Sequence, residues 1–281
     1  MTFDAEHYKA NTQRQWDKVA AKWNSWTETL DAWFGPATEQ MLDRMGVKPG
    51  DRVLDVAAGT GEQTIQVAHR VGKSGYVLAT DISPEMLQFT ASKVAQAGLA
   101  NVETLAVDAE KLDVEVGTFD AAISRHGLIF VPNKLEALRR IAAGLRAGGS
   151  IGLMGYTSPR ANDFFRVPVS IILRRAGLAP PKPGLPGPFS FSNGAIEAVL
   201  GEAGFANIDA RAVSSPLKLR DAQECLAFEK QAFGALHEMM SGLSPGEQES
   251  VWQEIGEAFK PYESGAGLSC PCEFLVVVAK K

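Results

Sequence analysis

Apolar and polar positions change period in a regular order along this chain. From residue 52 to about 156, short apolar runs alternate with longer stretches in which apolar residues recur every three or four positions. The short runs, 52–57, 76–81, 102–107, 119–124 and 150–156, predict buried strands. Between them, 84–97 predicts a helix with Ser83 as its N-cap, Pro84 at the first helical position and Glu85 in the first turn. Leu135, Leu138, Ile141, Ala142 and Leu145 place one apolar face on a helix over 134–145, which the stretch Ala147, Gly148, Gly149 ends. Strand and helix in alternation predict an α/β fold, a doubly wound and mostly parallel sheet.

The flanks differ. The first fifty residues read as helical and carry four of the five tryptophans, Trp16, Trp23, Trp26 and Trp33, whose aromatic faces are expected to pack this segment onto the main body rather than to meet a ligand. After residue 156 come a helix over 164–176, a proline-rich surface loop, APPKPGLPGP, and a helix over 193–203 closed by Gly204. A strand over 207–213, helical stretches over 221–240 and 245–259, and an apolar strand over 274–279 follow. The expected organisation is a helical N-terminal segment, 1–50, and one domain, 51–281, with a helical C-terminal lid built from about 160–192 and 220–265.

Composition adds exclusions. With 281 residues, 45% hydrophobic and 22% charged, the chain supports one sizeable core. A net charge of -5 argues against a nucleic-acid-binding face and for a small-molecule partner. The N-terminus, MTFDAEHYKA, lacks a secretory apolar core, and FLVVVA is too short to span a bilayer, so no membrane span and a cytoplasmic location are expected; homo-oligomerisation stays open. Cys225, Cys270 and Cys272 do not have the spacing of a zinc site, and no metal is expected.

The chemistry gathers at VLDVAAGTGEQT, residues 53–64, a strand, a glycine turn and a helix start. In open α/β sheets, ligands sit outside the carboxyl ends of strands, at such turns. The third glycine of a dinucleotide fingerprint is missing, and no GK[ST] ending for a triphosphate follows. Asp55 near the end of the first strand, Asp81 at the end of the second and Asp108 after the third place one acid at each of three consecutive strand mouths. An acid after the second strand suits ribose hydroxyls and one after the third an adenine amino group, and three acids at one rim suit a cationic ligand.

VLDVAAGTG, ATDISPEML, VDAEKL, FDAAIS and LRAGGSI resemble the successive motifs of the Rossmann-like S-adenosylmethionine-dependent methyltransferases, and among these the ubiquinone/menaquinone-biosynthesis type and its small-molecule relatives. The resemblance covers 50–156 and implies S-adenosylmethionine as cofactor. It assigns the turn of Asp55, Ala57, Gly59, Thr60 and Gly61 to the cofactor, with Gly59 and Gly61 against the methionine moiety. It further gives Asp81 to the ribose hydroxyls, Ile82 and Met86 to the adenine face, Asp108 and Ala109 to the adenine edge, and Ser124 to the methionine tail. Ala57 departs from the pattern, since many members have glycine there.

His126 follows the fourth strand beside the expected methyl donor and is the candidate general base, or substrate contact, for a hydroxyl or phenol acceptor; the alternative is a histidine that only bonds its own loop. Arg125 either holds an anionic acceptor or forms an outward ion pair. Phe189, Phe191, Phe228, Phe233, Met239 and Met240 suggest an apolar cover and hence a small hydrophobic or aromatic acceptor, methylated at carbon or oxygen. A nicotinamide-dependent oxidoreductase and a non-catalytic protein that keeps the cofactor pocket are the competing readings.

Overall fold

A computed structural model describes residues 3–180, 182, 184–192 and 194–281. Pro181 and Pro183 of the expected proline-rich loop, and Asn193 at the start of the expected 193–203 helix, lie outside the described residues.

The alternating segment folds as its pattern predicts. β1 (Arg52–Val56), α3 (Glu62–Val71), β2 (Tyr76–Asp81), α4 (Pro84–Gln96), β3 (Val102–Ala106), β4 (Phe119–Arg125), α5 (Lys134–Gly144) and β5 (Leu145–Tyr156) follow α1 (Ala5–Ser25) and α2 (Thr27–Met45). Ser83 caps α4 by accepting from the Met86 N–H, with Pro84 at the first helical position. β5 begins at Leu145, five residues before the expected 150. The glycines read as a turn lie inside the strand, because the Lys281 backbone pairs with Gly148 and Gly149 at 3.1 and 2.9 Å. That partner is the far end of the chain.

The sheet order is β3-β2-β1-β4-β5-β10-β6, where β6 is Ala206–Ser214 and β10 is Glu273–Lys280. The first five strands are mutually parallel, and β10 runs antiparallel to both β5 and β6. The fold is therefore Rossmann-like, with the late strands completing the sheet as expected. Val53, Leu54 and Val56 of β1 are fully buried, as a parallel strand covered on both faces requires. β7 (Leu217–Leu219), β8 (Glu263–Ser264) and β9 (Gly267–Cys270) form a second, three-stranded sheet that the pattern does not predict. Strands of two to four residues are too short to show a period.

α6 (Asp163–Ala176), α7 (Ala195–Glu202), α8 (Ala222–Ala232), α9 (Gly234–Met239) and α10 (Pro245–Phe259) supply the remaining helices, and α8 and α9 pack on α1. The tryptophans pack as expected. Trp23 and Trp26 lie 6.5 and 4.9 Å from the Phe228 ring, and Trp33, 3% exposed, donates its Nε1–H to the Ser215 carbonyl at 2.8 Å. Cys225, Cys270 and Cys272 are buried free thiols. Among the described residues no helix is long and apolar enough to cross a membrane.

Candidate functional site

The chain leaves β1 through Ala57, Gly59 and Gly61, all at positive φ, of 59°, 61° and 91°. The two glycines answer to different neighbours. A Cβ on Gly61 would lie 2.8 to 3.0 Å from Thr90 side-chain and backbone atoms of α4, so protein fills that space. A Cβ on Gly59 would meet no atom within 4 Å. The side-chain-free backbone at Gly59 thus faces open space, the property of a ligand cradle. Ala57 carries a side chain in the left-handed conformation, which explains why glycine is the easier residue there.

The three acids do not share one rim, which corrects the sequence expectation. Asp55 is fully buried: Oδ2 accepts from Thr64 Oγ1 at 2.6 Å and Oδ1 from Gln63 Nε2 at 3.2 Å, tying β1 to the start of α3. Burial pushes its carboxyl up to about 6. Asp81 remains at the strand mouth. Its Oδ2 accepts from the Gly59 N–H at 2.9 Å and its Oδ1 from the Ser83 N–H at 2.8 Å, and each oxygen keeps a second lone pair for a ligand hydroxyl. Burial raises it too, to about 6. The Asp81 carbonyl accepts from Val107 N–H at 2.8 Å, so the next acid follows directly. Asp108 is half-buried, with the Lys9 ammonium of α1 at 3.0 Å.

A cleft of about 360 Å³ opens here, lined by Lys9, Gln13, Ile82, Pro84, Val107 and Asp108. Ile82 and Asp108 line this cleft, and Asp81, next to Ile82 in the chain and bonded to the Gly59 N–H, links it to the glycine turn, with Ala109 half-buried beyond Asp108. The Thr60 and Met86 side chains point into the protein. Thr60 is fully buried with its hydroxyl 2.8 Å from Glu62 Oε1, and Met86 is 2% exposed.

At the end of β4, Ser124 is 1% exposed and its Oγ has no hydrogen-bond partner. The following loop presses on the glycine turn, since a Cβ on Gly127 would lie 2.1 Å from Ala57 Cβ. His126, at φ 57°, is half-buried, with its ring in an aromatic box. It stacks on Tyr156 at 4.4 Å, with Phe34 and Phe274 at 4.8 and 5.0 Å, and neither ring nitrogen has a partner. Burial, then the neighbouring Arg125 charge, hold the imidazole well below its ordinary range, so it is neutral.

Arg125 points inward, not outward. It is 8% exposed, lies 5.0 Å over the Phe34 ring, and approaches Glu62 at 3.9 Å. Glu62 also accepts from Thr27 Oγ1 at 3.1 Å and from Lys93. Burial would raise its carboxyl, but Lys93 and Arg125 hold it below the usual carboxylate range. This network, and the bond from Ser83 Oγ to Asp17 of α1 at 2.5 Å, were not foreseen. An acid in the first turn after the glycine turn is the only local signal for it; the partners lie 31 and more residues away in sequence.

The profile of the ubiE/COQ5 methyltransferase family matches residues 28–170, just over half of the 281. The chain belongs to that family. The family region holds the glycine turn, the strand-end acids, Ser124 and His126, whereas Lys9 and Asp17 of α1 and everything after residue 170 lie outside it. The ubiquinone/menaquinone biosynthesis C-methyltransferase UbiE of Azotobacter vinelandii is 35% identical over 143 residues, 50% of this chain and 56% of that protein. The chain spans about half the length of the curated relatives it matches. Among solved structures, the YcgJ protein of Bacillus subtilis shares the fold at a TM-score of 0.60 and 16% identity, covering 88% of this chain and 98% of that one. A SAM-dependent methyltransferase of Aquifex aeolicus does so at 0.51 and 21%, covering 75% and 93%. In this ubiE/COQ5 family member the site is thus a family turn roofed by a helix, α1, that the family match does not reach.

Proposed function

We propose that the protein binds S-adenosylmethionine across the ends of β1, β2 and β3 and transfers its methyl group to a small, hydrophobic or aromatic acceptor, at carbon or oxygen, over the ends of β4 and β5. The observation that carries this reading is the open space at Gly59, bounded by the Asp81 carboxyl, with the cleft at Ile82 and Asp108 beginning at the next residue.

The residues present fit such a cofactor. Gly59 admits the methionine tail against bare backbone, and the orphaned Ser124 Oγ offers it a polar contact. The free lone pairs of Asp81 accept from the ribose hydroxyls. Ile82 supplies an apolar surface for the adenine and Asp108 an acceptor for its amino group. When bound, the cofactor supplies an activated methyl group on a cationic sulfur.

The chain's own part is orientation and exclusion of water. Phe34, Tyr156 and Phe274 surround His126 with apolar faces that suit an aromatic acceptor, and the neutral imidazole is ready to accept a hydrogen bond from a hydroxyl or phenol at the reacting end. α1, tied to Asp108 through Lys9 and to Ser83 through Asp17, covers the adenine side.

Calorimetry with S-adenosylmethionine, S-adenosylhomocysteine and NAD tests the cofactor assignment. The first two are expected to bind with Kd in the low micromolar range, about -7 to -8 kcal/mol, and NAD not at all. Tight NAD binding without sulfonium binding would overturn it.

A further inference from the structure

Glu229, on α8, is a carboxylic acid in the wrong place for a structural residue. It is 1% exposed, and its Oε1 has no hydrogen-bond partner. No salt bridge reaches it from any described Lys, Arg or His. Its helix neighbours bury an apolar face: Cys225 one turn before it, Phe228 beside it and Ala232 after it. An unpaired carboxylate cannot be held in such surroundings, and burial accordingly drives the Glu229 carboxyl well above its ordinary range, leaving a neutral acid with a proton to donate.

The groups around it locate it. Phe228, the residue beside it, lies 6.3 Å from Trp33, which stacks on Phe34 at 4.5 Å, and Phe34 lies 4.8 Å from His126. Tyr156 also stacks on His126. The buried face of α8 that carries Phe228 and Glu229 thus packs on the far side of the aromatic cluster that reaches His126, with Phe228 against Trp26 and Phe233 at 4.9 and 5.3 Å. None of the polar atoms at the two ends of this cluster, Ser124 Oγ, the His126 ring nitrogens and Glu229 Oε1, is paired within the protein. Leaving a buried polar group unpaired destabilises a fold, so an apolar residue of the same size would make a more stable one. A ligand that supplies the missing partner accounts for the acid.

We propose that Glu229 is a specificity-determining residue of the acceptor site, a polar anchor that donates a hydrogen bond to an oxygen acceptor, carbonyl or ether, at the end of an otherwise apolar molecule remote from the methyl donor. The inference rests on the methyltransferase reading for the placement of the acceptor. It lies outside it in one respect: Glu229 falls beyond the residues that match the family, so the anchor belongs to this chain's own C-terminal part. The unpaired acid selects for the oxygen, because an acceptor without one leaves the anchor unsatisfied.

Three probes of one skeleton test this on the full chain saturated with S-adenosylhomocysteine: acetophenone, ethylbenzene and 1-phenylethylammonium, titrated by ligand-observed NMR. The wild type is expected to bind acetophenone about tenfold or more tighter than ethylbenzene. Glu229→Gln, which still donates, keeps most of that preference; Glu229→Leu loses it and melts no lower than the wild type. An infrared band of a protonated carboxyl at neutral pH, lost in Glu229→Gln, accompanies these results. Saturable S-adenosylhomocysteine binding without a ketone preference overturns the anchor alone, as does a preference that survives Glu229→Leu. Tightest binding of the ammonium probe overturns it in favour of a charged carboxylate. Absence of S-adenosylhomocysteine binding overturns the methyltransferase reading and the placement of Glu229 with it.

Discussion

Gly59 and Gly61 are two residues apart, both at positive φ, and should respond to alanine in opposite ways. At Gly61 the new methyl group would sit 2.8 and 2.9 Å from the Thr90 side chain and 3.0 Å from its Cα, so the two helices must part or the turn must shift. Overpacking of this kind costs about 1 to 3 kcal/mol, and the left-handed conformation about 1 to 2 more for a residue with a Cβ. A total of roughly 2 to 5 kcal/mol corresponds to a melting-temperature loss on the order of 3 to 9 °C for a chain of this size. At Gly59 only the conformational part applies, since nothing lies within 4 Å, and the loss should be a few degrees. The ligand-induced response reverses the order. Gly59→Ala places a methyl group where the methionine tail is proposed to lie and should remove most of the stabilisation that S-adenosylhomocysteine gives, whereas Gly61→Ala should retain it once folded. The assay is differential scanning fluorimetry across a ligand titration, with calorimetry on each variant. Thr90→Ala in the Gly61→Ala background should recover part of the lost stability, offset by the loss of the Thr90 Oγ1 bond to the Gly59 carbonyl at 2.8 Å. Full retention of ligand binding in Gly59→Ala, or equal melting losses at the two positions, would refute the division of labour between the glycines.

Three further outcomes follow from the site. Asp81 titrates near 6 in the free protein, and ribose hydroxyls favour its carboxylate, so binding lowers its pKa and cofactor affinity should fall as pH drops through about 6, up to about tenfold per pH unit; calorimetry in buffers of different ionisation enthalpy should show proton release near pH 6, and a pH-independent Kd from 5 to 8 contradicts this. Because the His126 imidazole is held well below its ordinary range, its NMR signals should not titrate between pH 5 and 8, and an inflection near 6.5 would show that the ring is solvated. Ala57→Gly should raise stability by about 0.5 to 1 kcal/mol, since alanine at φ 59° is strained, and a chemical-denaturation midpoint at or below that of the wild type argues against the strain.

The local pattern was enough to determine the succession of strands and helices of the main sheet, the N-cap of α4 and the position of the glycine turn, because each depends on residues within a few positions of one another. It also singled out Asp81, Ile82 and Asp108, which the fold places at neighbouring strand ends, since a strand end is a position that the chain itself marks. What the pattern left undecided has a common cause. Asp55 and Asp81 both read as strand-mouth acids, but one turns inward to Thr64 and Gln63 while the other stays at the rim, and their rotamers are set by what packs around them. Arg125 goes to a buried Glu62 because Lys93 and Thr27, from two other helices, converge there. The early start of β5 depends on Phe119 of β4, which pairs with Leu145, and on Lys281, and the isolation of His126 on Phe34, Tyr156 and Phe274 from three separate elements. Glu229 carries no sequence signal at all: a glutamate on a helix reads as a solvated charge, and only the packing of α8 onto the aromatic cluster takes away both its water and its counter-ion. Secondary structure is a property of neighbours along the chain, whereas the charge state and partners of a buried group are decided by atoms that the chain brings back from far away.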